Sequence, residues 1–560
     1  MSTAPEIVRE QPESASRDHE VGSGSALPGG VLGRLEGGEH LLVPALLGAV
    51  MFAVALSVLP SVPGRGDSAE LTIALAVAGV PHPTGYPLYV LLGHPFALLL
   101  HRLGWSWPAA ANAWSAAAAA LAVALHARLG LELVRVSIPR GAAAGLPARW
   151  LAAITPALAM VFHPVWLTAA TQAEVYAMWY ALSAAAALFA LQQVVRLAAA
   201  GDSLESRGRA HAADSRAACT WGFLCAASAA HHLIAGAMLL PLTAALVVAL
   251  ARSGRWRVSL LGAWGAGALL PLAAYGFVAY RTFHPAPYQW PIDPSWAGVW
   301  RHVSGSMYVR YVGEFAPRGE ELEMIRGAVA PFLVTLPIVG VWALSARSAA
   351  LRSWLMASLL GAALLAGFVF LYGVPDPAAY FGPVLMLGSL VAVPLLLAAS
   401  RRGLGVVATA LVLVGVAAPG RWSLDRSVRE RDRLEAADRE IRSAWQSIPF
   451  DRGIVLWLGD RCARLEILRL LEHRRSDLCV INPNLLTWPV SRALFFRRFG
   501  FDPLDHAYAN YWEELPSFLR EQTGLPVVEF TAVLGGRYRR DPLSRAPRAT
   551  PPAGGPPRPR

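Results

Sequence analysis

Long apolar runs with few or no charges recur along this chain, and they leave it little choice of solvent. The first, LLVPALLGAVMFAVALSVLP at 41–60, holds 20 residues without a charge. As a helix it would be about 30 Å long, the thickness of a bilayer core. Comparable runs follow near 109–127, 150–168, 175–196, 217–231, 233–251, 258–280, 325–346, 353–372, 383–400 and 404–419. Only 16% of the residues are charged and the mean hydropathy is +0.42, against roughly 25% charged residues in soluble domains. The expected fold is therefore an all-α polytopic membrane protein with about 11 transmembrane helices. The 217–251 stretch reads either as one long tilted helix or as two short spans turning near His231 and His232, and the arginines at both ends favour two.

Arginine sets the expected orientation. No lysine occurs, so every basic residue is an arginine. With the N-terminus inside, the inner loops hold Arg128, Arg135, Arg140 and Arg149, then Arg196, Arg207, Arg209 and Arg216. Arg252, Arg255 and Arg257, then Arg347 and Arg352, and finally Arg401 and Arg402 fall on the same side. Every short inner loop is then basic, as the positive-inside rule requires. The net charge of +11 is accounted for by these loops and the last 25 residues meeting anionic lipid, and not by nucleic acid. Counting 86–103 as a span would invert the Arg128–Arg149 loop, so 68–80 and 86–103 are read as helices lying at or re-entering the outer face. The arginine-only composition, rich in Ala, Gly and Pro, suggests a GC-rich bacterial genome and so the cytoplasmic (inner) membrane.

Four units are expected. Residues 1–40, polar and Gly/Ser-rich, form a disordered tail. Residues 41–420 form the membrane domain, with outer-face loops at 61–108 and 281–324. Residues 421–540 form a small extracytoplasmic α/β domain. It opens with an amphipathic helix at 423–446 carrying Leu424, Val428, Leu434, Ala437, Ile441 and Trp445 on one side. GIVLWLGD (453–460) and SDLCVIN (476–482) follow as the strands of a β-α-β unit. Residues 541–560 are a Pro/Arg-rich tail.

Within this topology, acids scattered along the sequence converge on one face. Asp67 and Glu70 lie in the first outer loop, Glu174 opens the fourth span with Tyr176 beside it, and Asp376 precedes Tyr380 between spans nine and ten. Carboxylates beside apolar segments are costly and mark functional sites. The competing reading of Asp67 and Glu70 is a capping box at a helix start. The turn His82-Pro83-Thr84-Gly85-Tyr86-Pro87 is stiffened by its prolines, and His82 and Tyr86 are candidates to bind a sugar or phosphate. Glu174 and Tyr176 alternatively only mark the membrane interface. His231 and His232 point different ways on a helix, which suits a phosphate contact or polar packing better than a metal. Arg281, the first charge after span seven, is either a boundary residue or a ligand for a lipid phosphate. Cys462 and Cys479 are a candidate disulfide pair in an oxidising compartment. No phosphate-binding loop, HExxH or GxSxG motif is present, so ATP-driven transport and serine hydrolysis have no support.

GDSAE (66–70), VPHPTGYPLYVLLG (80–93) and TQAEVYAMW (171–179) resemble signature stretches of a multi-pass family long known only as a domain of unknown function. Its animal members are protein O-mannosyltransferases, and it is similar to a branch of the GT-C glycosyltransferases. The resemblance covers roughly 41–400. It implies a GT-C-like membrane glycosyltransferase using a polyprenyl-phosphate-linked sugar donor, with a protein or glycan acceptor and protein O-mannosylation as one form of the reaction. On this chain it makes Asp67 the candidate catalytic base and Glu70 its partner, with His82 and Tyr86 shaping the pocket. Glu174 and Tyr176 become a second acidic site. Arg281 and His231 or His232 become candidates to steady the departing phosphate, and Asp376 and Tyr380 join the substrate-binding set. Ser68 stands where some branches carry a second acid, so a metal-dependent mechanism is not indicated: no cofactor is expected, with a divalent metal left open. A transporter or flippase of a lipid-linked or polar solute is the alternative. A non-catalytic scaffold, for which Asp67 would be dispensable, is the third reading.

Overall fold

The computed structural model describes residues 32–138, 146–199, 207–317, 319–373, 376–504 and 511–530. Both expected tails, apart from the helical residues from Leu32 onward, lie outside these, as does Arg140. Among the described residues nine helices are long and apolar enough to cross a membrane, and ten if one bent pair counts as a single span. That pair, Arg149–Val161 and Pro164–Thr171, bends by 59°. His163 is extended at the break and Pro164 opens the next helix, so the run read as one span at 150–168 is two helical pieces. The expected span at 217–231 is the second half of a 25-residue helix, Arg207–His231. Arg207, Arg209, Asp214 and Arg216 occupy its first half, and it is not among the nine. The chain does break at the histidine pair: Leu233–Ala235 is a single 3-10 turn and Gly236–Arg252 continues as a new helix.

The two short outer helices are present as Ser68–Val77 and Pro87–Arg102, with 10 and 16 residues. Both fall short of the ~20 residues needed to span. Residues 404–419 and 423–446, read as separate elements, form one continuous helix of 43 residues, Gly405–Ser447. A helix of this length reaches about 65 Å and carries the chain from the membrane bundle to the C-terminal domain. Leu434, Ile441 and Trp445 are buried along it.

The C-terminal domain is built on a three-stranded parallel sheet in the order β2-β1-β3, with β1 at Gly453–Leu456, β2 at Leu478–Ile481 and β3 at Val527–Glu529. Ile454 pairs with Cys479 on one side and Val527 on the other. All four residues of β1 are buried, as a central parallel strand requires. Cys462 and Cys479 are free thiols, so the candidate disulfide is not formed. The domain rests on the first outer helix: Ile467 packs against Ala69 and Ile73. Arg464, 5% exposed, donates from Nη2 to the carbonyls of Pro63, at 3.1 Å, and Gly64.

Small residues bring the helix that ends in His231 against its neighbour. A Cβ placed on Gly267 would collide with the Cys219 backbone, and one on Gly222 with the Trp264 backbone. Membrane helices approach closely through such residues, because packing is what drives their association in lipid. Gly267→Leu is expected to destabilise the protein by about 1–3 kcal/mol through overpacking. Gly265→Leu, two residues away where nothing lies within 4 Å, should leave the melting temperature in detergent nearly unchanged. Equal melting of the two variants would count against this contact.

Candidate functional site

The site is assembled on two loops pinned by one buried side chain. Asn112, fully buried in the Trp107–Ser137 helix, donates from Nδ2 to the carbonyls of Pro60 and Val62, both at 3.0 Å. Its Oδ1 accepts the Ala173 amide at 2.7 Å. One turn on, the Ser115 hydroxyl accepts the Glu174 amide at 3.1 Å and faces the Glu174 carbonyl at 3.2 Å. Gln172 Oε1 accepts the Arg65 amide at 2.9 Å, and His231 donates from Nε2 to the Val175 carbonyl at 2.8 Å. The segment leading to Asp67 and the segment carrying Glu174 are therefore fixed side by side. None of Asn112, Ser115, Gln172 and Arg65 was singled out from the sequence. The signal available was two polar residues, three apart, in an alanine-rich helix.

Asp67 begins the Ser68–Val77 helix but makes no side-chain cap bond. The capping box is not formed, because Glu70 turns away to His82. Glu70 Oε1 accepts the His82 amide at 2.6 Å and Oε2 lies 3.2 Å from His82 Nδ1. On the other side of the ring, Nε2 is 3.6 Å from Asp67 Oδ2. The two carboxylates differ in exposure: the Glu70 side chain is 8% exposed and that of Asp67 58%. Burial works against a charged His82 ring, but the carboxylates of Asp67, Glu70 and Glu174 outweigh it and push the imidazole up to about 9. His82 is thus an imidazolium at neutral pH, held between two acids. Burial, reinforced by Asp67 and Asp376, pushes the Glu174 carboxyl well above the usual carboxylate range. His302, which donates to the Pro81 carbonyl at 3.1 Å, is driven by burial down to about 3 and stays neutral.

An aromatic cluster continues from His82. Tyr86 lies 5.2 Å from it, ring to ring, and 6.1 and 6.2 Å from His231 and His232. His232 in turn meets Tyr380 at 5.5 Å, Tyr176 at 6.3 Å and Trp179 at 5.1 Å. Asp376 is exposed, in a left-handed turn (φ 58°) that leads into the Pro377–Phe381 turn bearing Tyr380. Of the residues expected from the sequence, Asp67, Glu70, His82, Tyr86, Glu174, Tyr176, His231, His232 and Tyr380 are brought together, with Asp376 at the edge. Arg281 lies one turn after Val278, which packs against Val80 beside the His82 turn. Its guanidinium lies 5.8 Å from the rings of Phe277 and Tyr280, and its Nε is buried without a hydrogen-bond partner.

Trp290, from the 281–324 loop, is 6.0 Å from the His82 ring and 5.5 Å from Trp488 of the C-terminal domain. The C-terminal domain therefore reaches the site twice, through Arg464 and through Trp488. Arg65 projects beside it, paired with Glu320 at 2.9 Å and bidentately with Glu430.

Asp67, Glu70 and His82 each offer an oxygen or nitrogen, all within 4.8 Å of one another, which meets the spacing of a three-ligand metal site. A cation there would have to displace the proton that the two acids keep on His82.

The pairing makes a pH prediction. An imidazolium stabilised by folding contributes fully below the ordinary histidine value of about 6.5, and the contribution is lost as pH rises through about 9. The melting temperature of the wild type should therefore exceed that of His82→Gln most at pH 6, and the gap should close by pH 10. A gap independent of pH would exclude a charged His82.

Comparison with known proteins bears on the same region. Residues 67–256 match the family model described as the protein O-mannosyl-transferase TMEM260 N-terminal domain. Among solved structures, the chain is similar to ArnT from Cupriavidus metallidurans bound to undecaprenyl phosphate, with 14% identity and a TM-score of 0.46. That alignment covers 75% of this chain and 84% of the other. It is also similar to the oligosaccharyltransferase AglB from Archaeoglobus fulgidus in complex with an inhibitory peptide and a dolichol-phosphate, with 14% identity and a TM-score of 0.46. Here 88% of this chain and 70% of the other are covered. No curated protein matches in sequence. The chain is a multi-pass membrane protein whose residues 67–256, from the acidic loop to the helix after His232, resemble the protein O-mannosyl-transferase TMEM260 N-terminal domain.

Proposed function

We propose that this protein is a membrane glycosyltransferase that moves a sugar from a polyprenyl-phosphate carrier to an acceptor hydroxyl, with protein O-mannosylation as the form the family suggests. The observation that carries the reading is the division of labour among the acids. Asp67 is open to an incoming acceptor, Glu70 is buried behind His82, and burial with neighbouring acids pushes Glu174 toward its neutral form. A transporter would hold its polar groups near the middle of the spans, whereas these acids gather at one end of the bundle.

In this mechanism the acceptor hydroxyl meets the exposed Asp67 carboxylate, which takes its proton as the oxygen attacks the sugar's anomeric carbon. The bond from that carbon to the phosphate oxygen breaks, and its electron pair leaves with the lipid phosphate. A carboxylate is an effective general base when its geometry is fixed. Glu70 and the amide and ring of His82 provide that fixing, with the positive ring steadying Asp67 until it accepts the proton. Protonated Glu174 can donate a hydrogen bond to a sugar hydroxyl or a phosphate oxygen, a task an ionised acid cannot perform. The rings of Tyr86, Tyr176, His232 and Tyr380 offer flat faces for a sugar. Arg281, whose guanidinium lies against Phe277 and Tyr280, is assigned no step in this scheme. His231 spends Nε2 on the Val175 carbonyl and serves as a positioning residue.

The test is transfer of labelled sugar from a panel of polyprenyl-phosphate donors by membranes bearing wild-type or variant protein. Asp67→Asn should lower the rate by about 10²–10⁴-fold, the range of a lost general base, while melting like the wild type. Glu174→Gln, which keeps a hydrogen-bond donor, should lose less than Glu174→Ala. Undiminished transfer by a folded Asp67→Asn protein would remove the base from this mechanism.

A further inference from the structure

A second polar site lies at the far end of the bundle from the acids. A cavity of about 350 Å³ opens between the start of the His40–Val58 span, the second half of the Trp107–Ser137 helix and the end of the Tyr176–Ala199 helix. Ser115, beside Glu174, and Glu132, in this cavity, are on the same helix 17 residues apart, about 25 Å along its axis. The two sites thus stand on opposite sides of a bilayer's thickness. Under the arginine pattern of the sequence, this is the inner side.

The lining is cationic in excess: Arg128, Arg135 and Arg196 against the single carboxylate of Glu132. Glu132, 2% exposed, is already committed. Its Oε1 accepts from Arg135 Nε at 3.1 Å and also from Nη2, and Oε2 lies 3.6 Å from Arg128 Nη1. Arg196 is held from behind: Nε donates to Gln193 Oε1 at 2.8 Å and Nη2 to the buried Asp214 at 2.8 Å. Two nitrogens of the lining lack a hydrogen bond, one of them the Arg128 Nη1 that only faces Glu132 at ion-pair distance. Arg128 Nη1 and His40 Nδ1 are both buried and have no hydrogen-bond partner. Buried donors without acceptors are costly, and here they share a cavity with surplus positive charge. An anion with several acceptor oxygens satisfies both conditions, and arginine pairs well with phosphate.

The surroundings indicate where the phosphate comes from. Leu41, Leu42 and Leu46, just after His40, are 75%, 65% and 64% exposed. Leu121, seven residues before Arg128, is 55% exposed. These side chains offer an apolar track for acyl chains next to the cationic cavity, the arrangement in which basic pockets between membrane helices hold lipid headgroups. We propose that this cavity binds the phosphate of an anionic phospholipid in the leaflet opposite the acidic site. The site tethers the His40–Val58, Trp107–Ser137 and Tyr176–Ala199 helices to that leaflet and is separate from any donor-lipid site at the acids.

The test uses the purified full chain in nanodiscs of phosphatidylcholine with or without phosphatidylglycerol. Phosphatidylglycerol should raise the melting temperature by about 2 °C or more. Arg128→Gln should abolish that rise, and Arg347→Gln, an exposed arginine at the same expected side, should keep it. Equal melting in the two lipids would overturn the proposal, and so would equal losses in the two variants. Inorganic phosphate reproducing the rise in phosphatidylcholine would replace the lipid by a free anion. Should Arg128→Gln not fold, native mass spectrometry of the wild type from mixed lipid decides: preferential retention of phosphatidylglycerol supports the site, and non-selective retention overturns it. None of these readouts depends on sugar transfer.

Discussion

Three hydrogen bonds from one amide side chain hold the candidate site together. Asn112 fixes the Pro60 and Val62 carbonyls and the Ala173 amide at once, and it does so fully buried. Each of those backbone groups would otherwise be orphaned where no sheet or helix ladder serves it. The loop to Asp67 therefore has one low-energy course, and the loop to Glu174 is locked to it. The distance between Asp67 and Glu174, two acids more than 100 residues apart in sequence, is a consequence of that amide.

Three acids gathered at the end of an apolar bundle would repel one another strongly in a low-dielectric setting. His82 and the proton on Glu174 resolve this in different ways. His82 becomes positive and is shared by Asp67 and Glu70. Glu174 is driven toward its neutral form by burial and by Asp67 and Asp376, which outweigh the opposing pull of His82. One cluster thus sets two acids paired with His82 beside a third pushed toward its neutral form, and environments that drive carboxyls apart are how a site separates a base from a hydrogen-bond donor.

Much of this was legible in the sequence, for a physical reason. Long apolar runs admit one interpretation, and acids beside them are rare enough to stand out; Asp67, Glu70 and Glu174 were found that way. His82 was found through its rigid turn, and the β-α-β pattern of the C-terminal domain through its two buried strands. Legibility ended where a residue's importance lies in what it bonds rather than in its cost. Asn112 and Ser115 are polar, but uncharged groups in a membrane helix are unremarkable. Arg281 was expected near phosphate because its position between span and loop is typical of such arginines; in the structure its guanidinium lies against Phe277 and Tyr280. The break at His163, the charged first half of the Arg207–His231 helix and the fusion of two elements into Gly405–Ser447 depend on neighbours that a local window does not contain.

The C-terminal domain is best understood as part of the site's framework. Arg464 is buried and bonds two carbonyls, Pro63 and Gly64, only three or four residues before Asp67. Removing such an arginine would leave those carbonyls dependent on water at a buried position, and the segment to Asp67 would gain freedom. Asn112 holds the same segment from the membrane side at Pro60 and Val62. The approach to Asp67 is therefore clamped from above and below by residues about 350 positions apart. Trp488 repeats the logic against Trp290, whose ring also lies 6.0 Å from that of His82. Under the proposed mechanism, a domain that only recruited an acceptor would have no need to grip the loop of Asp67. One that does both ties acceptor position to base position, the two coordinates that an attacking hydroxyl must satisfy together.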